Sequence, residues 1–195
     1  FFSFEMEAAT NLPDGTRVGA HTELNLSNGG VDLKITRVGG GAFDIFDNDT
    51  FIGFGPEFRP PAAWATRSLD PFWDGEGFDG IGFIFEFSVP IDIFAFDFGD
   101  FGGDEDDVEA FAYSDLARTD LVDSNSGFLP GNTSTEFVSD SMGLTGTIRS
   151  VVITGGSEDF PHSVFIDNIF ANPIPAPSTA ALLALTVVGG ARRRR

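Results

Sequence analysis

Phenylalanine recurs at every second position through the middle of the chain. Phe83, Phe85 and Phe87, followed by Val89, fall on one face of an extended strand, with Ile84, Glu86 and Ser88 on the other. After Pro90, which should interrupt the strand, Phe94, Phe96 and Phe98 again share a face. A period of two, not 3.6, commits these segments to β-structure. Further strands are expected over residues 1–8, 31–38, 108–113, 136–139, 147–154 and 163–171. Turn signals separate them: Pro13-Asp14-Gly15, Asn28-Gly29-Gly30, Gly39-Gly40-Gly41, Pro130-Gly131-Asn132 and Gly155-Gly156. Residues 51–80 are irregular, and residues 59–64 and 71–77 within them read as long ordered loops between strands. No internal repeat occurs, and no amphipathic helix precedes residue 173. Twenty-three phenylalanines supply one core, and twenty-four glycines and eleven prolines supply turns. The expected fold is all-β: an antiparallel, jelly-roll-like β-sandwich over residues 1–171.

The C-terminal end has a different character. Residues 172–177 form a proline-rich linker, and residues 178–195 an uncharged apolar stretch closed by Arg192, Arg193, Arg194 and Arg195. Fourteen apolar residues would make a helix of about 21 Å, short of a hydrocarbon core of about 30 Å. The arginines extend its reach by snorkelling to the headgroups and should stay on the cytoplasmic side. Residues 1–172 should then lie on the opposite face. Pro177 breaks the incoming chain, and Ser178 is placed to cap the expected helix.

Pro175-Ala176-Pro177-Ser178-Thr179, an apolar helix and terminal arginines together resemble the PEP-CTERM sorting signal of Gram-negative bacteria. Ala176 stands where that family usually has Glu. The resemblance implies recognition by a membrane enzyme of the exosortase type, passage through the inner membrane, and delivery to the cell surface or extracellular matrix. The chain starts at Phe1 without an initiator methionine, and an exported protein should carry a signal; the start reads as that of a fragment or a trimmed product.

All thirty acidic residues precede residue 173, as do seven of the eleven basic ones, so the body is more acidic than the net charge of −19. Such a body repels nucleic-acid phosphates and attracts divalent cations. The absence of cysteine excludes disulfides, thiolate catalysis and cysteine zinc sites.

Seven carboxylates fall between Asp97 and Glu109, interspersed with glycine. Asp97, Asp100, Asp104 and Asp106 are therefore candidate ligands for a calcium ion, which takes six to eight oxygens. The order is not that of an EF-hand. Asp44, Asp47 and Asp49 form a smaller cluster. The segment Phe165-Ile166-Asp167-Asn168-Ile169 is similar to the last strand of jelly-roll carbohydrate-binding modules. That resemblance implies a structural calcium held by Asp167 and Glu5, from the last and first strands.

Sugar rings stack on exposed aromatic faces, which makes Trp64, Trp73 and Tyr113 the candidate ligand-binding residues. Asp70, Asp74 and Glu76 accompany the tryptophans. Enzyme signatures are sparse. His21 and His162 have no nucleophile partner at a recognisable spacing, and Ser163 beside His162 faces the opposite way along a strand. Glu86, among aromatic residues, is the best carboxylate for glycoside hydrolysis if burial raises its pKa. The expectation is a non-catalytic exported protein, with polysaccharide as its candidate ligand. A purely structural or adhesive matrix protein and a secreted carbohydrate-active enzyme remain as alternatives.

Overall fold

The computed structural model of the protein describes residues 18–47, 67–70, 81–100, 104–131, 138–157 and 164–175. Among these lie ten strands: β1 (Val18–His21), β2 (Leu24–Asn28), β3 (Val31–Arg37), β4 (Phe43–Asp47), β5 (Arg67–Asp70), β6 (Gly82–Asp100), β7 (Asp106–Tyr113), β8 (Leu121–Leu129), β9 (Val138–Gly156) and β10 (Phe165–Pro173). Every pairing is antiparallel, and the described residues contain no helix. The strands run in the order β1-β4-β5-β10-β6-β9-β7-β8, with the β2–β3 hairpin joined to β6. That hairpin turns through Gly29 and Gly30, both at positive φ, as a two-residue turn matching the strand twist requires.

The long strand β6 organises the rest. Residues 83–87 have β3 on one flank, whereas residues 91–99 have β10 there. β9 lines the other flank along both halves. The change of partner falls around Pro90, where the β6–β9 register shifts between Glu86 and Ile91. Proline has no N–H to give a ladder, so it is tolerated where the ladder is already interrupted. Its carbonyl accepts a hydrogen bond from the Ile174 N–H at 2.9 Å. The interruption expected at Pro90 is therefore a bend within one strand.

A second register shift, between Ile91 and Ile93, changes which residues face inward. Phe83, Phe85 and Phe87 point in before the bend; Phe94, Phe96 and Phe98 point in after it. A straight strand at about 3.3 Å per residue would hold Phe85 and Phe94 roughly 30 Å apart. Their ring centroids are 5.5 Å apart, and those of Phe87 and Phe94 5.7 Å apart. The sheet thus folds over on itself into a sandwich-like, two-layered body, with the two phenylalanine rows meeting in its core. Phe43, Ile45, Leu69, Ile148 and Ile169 complete that core, all of them fully buried. Each buried phenylalanine is worth about 1.5–3 kcal/mol of hydrophobic stabilisation before ordering costs.

Several sequence expectations change. Residues 136–139 and 147–154 read as separate strands, but β9 is one strand from Val138 to Gly156. Gly155 and Gly156 do not make a turn; they pair with Val108 and Asp107 at the end of β9. β1, β2, β4, β5 and β8 lie where the sequence pattern predicts no strand. The strand expected over residues 1–8 and the helix expected over residues 178–191 fall outside the described residues.

Candidate functional site

Strand alternation sorts the acidic segment. Asp100 continues the inward row of Phe94, Phe96 and Phe98 and is 7% exposed. Asp106 lies on the inward row of β7 with Val108 and Ala110 and is fully buried. Asp104 precedes β7, half-buried. One carboxylate oxygen from each of the three lies within 4.8 Å of the others. The Asp104 Oδ2 atom is buried and makes no hydrogen bond. Gly131, just past β8, closes on the same place: a Cβ there would lie 2.9 Å from the Asp104 carbonyl carbon.

Three carboxylates this close would, if all carried their charge, repel one another by on the order of 3 kcal/mol per pair at an effective dielectric constant near 20. A divalent cation would remove that repulsion and give the buried Asp104 Oδ2 a partner. The donor set, all hard oxygen, suits calcium or magnesium and not a soft metal.

Asp97 does not join this group. It faces outward on β6, opposite Ser141 on one side and Asp167 on the other. Asp167 is fully buried, and Asn168 donates from Nδ2 to Asp97 Oδ2 at 2.9 Å. Asn168 adopts φ of 50° at a bulge, where β10 shifts register between Asp167 and Phe170. The expected ligand set therefore divides into a cluster, Asp100, Asp104 and Asp106, and a cross-strand pair, Asp97 and Asp167. Glu5, the expected companion of Asp167, lies outside the described residues. In the smaller acidic group, Asp44 pairs with Asp70 and Asp47 with Arg67 across β4 and β5, while Asp49 lies outside the described residues.

Of the aromatic candidates, Trp64 and Trp73 lie outside the described residues, as do Asp74 and Glu76. Tyr113 ends β7, half-buried, between Leu121 and Ser150. Sequence reasoning missed an exposed aromatic of this sheet, Phe128 on β8, which is 49% exposed. It sits opposite Asp107, at one side of an open groove of about 660 Å³ over β7. Alternation within β7 alone would have placed Asp107 and Glu109 on that outer face.

Glu86 is not the raised-pKa acid that its aromatic neighbours suggested. Burial pushes its pKa up, but hydrogen bonds from Lys34 and Arg118, with their charges, outweigh burial and hold the carboxyl below its usual value. Lys34 is its cross-strand partner on β3, and Arg118 reaches it at 3.1 Å from the β7–β8 connection. Such a group stays ionised and is poorly suited to donate a proton to a leaving group. Burial lowers the pKa of His21, whose ring lies 6.0 Å from that of Phe43. His162 and Ser163 lie outside the described residues.

β10 ends at Pro173, and Pro175 is exposed beyond it. Ala176, Pro177, Ser178, Thr179 and Arg192 to Arg195 lie outside the described residues. Among those described, no helix is long and apolar enough to cross a membrane. No protein-family model matches the chain, and no curated protein matches it.

Proposed function

We propose that this chain is a non-catalytic protein of the cell surface or extracellular matrix, whose jelly-roll-like β-sandwich binds polysaccharide and is stiffened by calcium. The observation that carries this reading is the convergence of Asp100, Asp104 and Asp106, with Asp104 Oδ2 buried and without a hydrogen bond. Calcium is abundant outside cells, so a hard-oxygen site there favours an exported protein. Bound between the end of β6 and the start of β7, the ion would tie together two strands whose connection is rich in glycine and acid. The acidic body supports solubility in an exposed compartment and argues against nucleic acid as a partner. The resemblance of the tail to a PEP-CTERM signal supports export, with an exosortase-type enzyme and the inner membrane as transient partners.

Thermal unfolding with calcium and with chelator tests the reading. A ligand that binds only the folded state raises the melting temperature with its concentration. We expect a rise at micromolar calcium that Asp106→Asn abolishes. An unchanged melting temperature at millimolar calcium would remove the metal from the proposal.

A further inference from the structure

We propose that the groove over the outer face of β7 is the saccharide site, and that it takes an uncharged polysaccharide. This rests on the polysaccharide-binding reading above and names its site and ligand class.

The strand registers build the groove. Across β8, β7 and β9, one row reads Phe128–Asp107–Gly156 and the next Ser126–Glu109–Thr154. Directly paired residues point to the same face, so both rows lie opposite the inward Val108 and Ala110. Gly156 has no side chain and leaves the first row open on the β9 side. There Ile81 stands at the rim, 40% exposed, its carbonyl accepting from the Gly155 N–H at 3.1 Å. The groove is about 660 Å³, within the range of small-ligand sites.

The lining selects a chemistry. Phe128 offers an aromatic face with no polar atom to hydrate, suited to the C–H face of a pyranose ring. Asp107 and Glu109 are exposed acceptors, and Ser126 and Thr154 add hydroxyls on either side of Glu109. A ligand that satisfies them brings several hydroxyl donors above an apolar face, which describes a sugar chain. Among the described residues no lysine or arginine lines the groove, so a uronate or sulfated polymer would meet carboxylates there and the net charge of −19 besides. Nor do Asp107 and Glu109 form a metal site by themselves. Two carboxylates supply too few of the six to eight oxygens a calcium takes, and the group that converges among the described residues is Asp100, Asp104 and Asp106.

Affinity electrophoresis of the full chain tests the site, in gels containing a neutral glucan, mannan, galactan or xylan, and in gels with polygalacturonate or chitosan. We expect retardation by at least one neutral polymer, persisting at high salt, and weakened about tenfold, or 1.4 kcal/mol, by Phe128→Ala and by Glu109→Gln. Both side chains are exposed, so unchanged thermal unfolding will show that the variants fold. Retardation that survives both substitutions would place sugar binding elsewhere and overturn the groove while leaving the broader reading intact. Retardation by polygalacturonate alone or chitosan alone would overturn the ligand class. Retardation by none would overturn both proposals.

Discussion

Asp123 on β8 accepts a hydrogen bond at Oδ2 from the backbone N–H of Thr145 on β9, at 2.8 Å. Two residues along β8, Asn125 donates from Nδ2 to the Gly143 carbonyl at 3.1 Å. Here two sheet edges meet. β8 pairs only with β7, and the first part of β9 pairs only with β6, among the described residues. Side chains of one edge supply the acceptor and donor that a neighbouring strand would otherwise provide. An edge occupied in this way is a poor template for another chain.

Asp123→Ala should therefore cost about 1 kcal/mol in urea unfolding, since the seam is solvent-accessible. Asp123→Asn, which keeps the oxygen acceptor, should cost less. Faster amide exchange at Thr145 in the alanine variant alone would locate the effect; equal exchange in both variants would contradict it.

Glu86 predicts the pH dependence. Its pKa is lowered in the folded chain, so its contribution is present above the unfolded value of about 4.5 and fades as pH falls through the folded one. The pKa of Lys34 is raised, chiefly by its hydrogen bond to Glu86, so that contribution is lost only as pH rises through its folded value in the alkaline range. Glu86→Gln should cost about 0.5–1 kcal/mol at neutral pH, a part-exposed pair being well screened. The two proteins should converge in stability towards pH 3, and a gap that persists there would show that the substitution acts by packing.

Phe94 touches rings from both halves of β6: Phe85, Phe87 and its own neighbour Phe96. Phe94→Ala should destabilise by about 3–5 kcal/mol, and Phe94→Leu by roughly 1–2 kcal/mol. Chemical denaturation of the leucine variant decides the matter even if the alanine variant fails to fold. A loss below measurement in Phe94→Leu would mean that the two rows do not meet as described.

Gly82 opens β6 at φ of 146°, and a Cβ there would lie 1.9 Å from the Ile153 carbonyl oxygen. Backbone cannot yield as a side chain end does, so Gly82→Ala should cost about 2 kcal/mol or more. The check is a lowered denaturation midpoint with an unchanged slope.

The strands that could be read in the sequence are those whose one face is apolar. β3, β6 and β7 alternate visibly because Leu33, Phe85 and Val108 must all reach the core. β8 does not, because its inward positions include Asp123, Asn125 and Gly127, whose roles lie across the seam. At Gly127 a Cβ would come within 2.5 Å of the Phe98 ring, so close packing, not turn-making, explains that glycine. Composition pointed to the acidic segment, but not to its division. Period two does separate Asp97 from Asp100, one outward and one inward, because an odd spacing along a strand puts two residues on opposite faces.

By itself, then, the sequence determined the all-β class, the antiparallel alternation and the acid concentrated between β6 and β7, since these follow from local spacing. Only the tertiary structure decided that β6 runs through Pro90, that the two phenylalanine rows stack, and that Asp106 converges with Asp100 while Asp97 pairs with Asp167. Those outcomes depend on register between strands far apart in the chain, where one shifted residue turns every side chain to the opposite face.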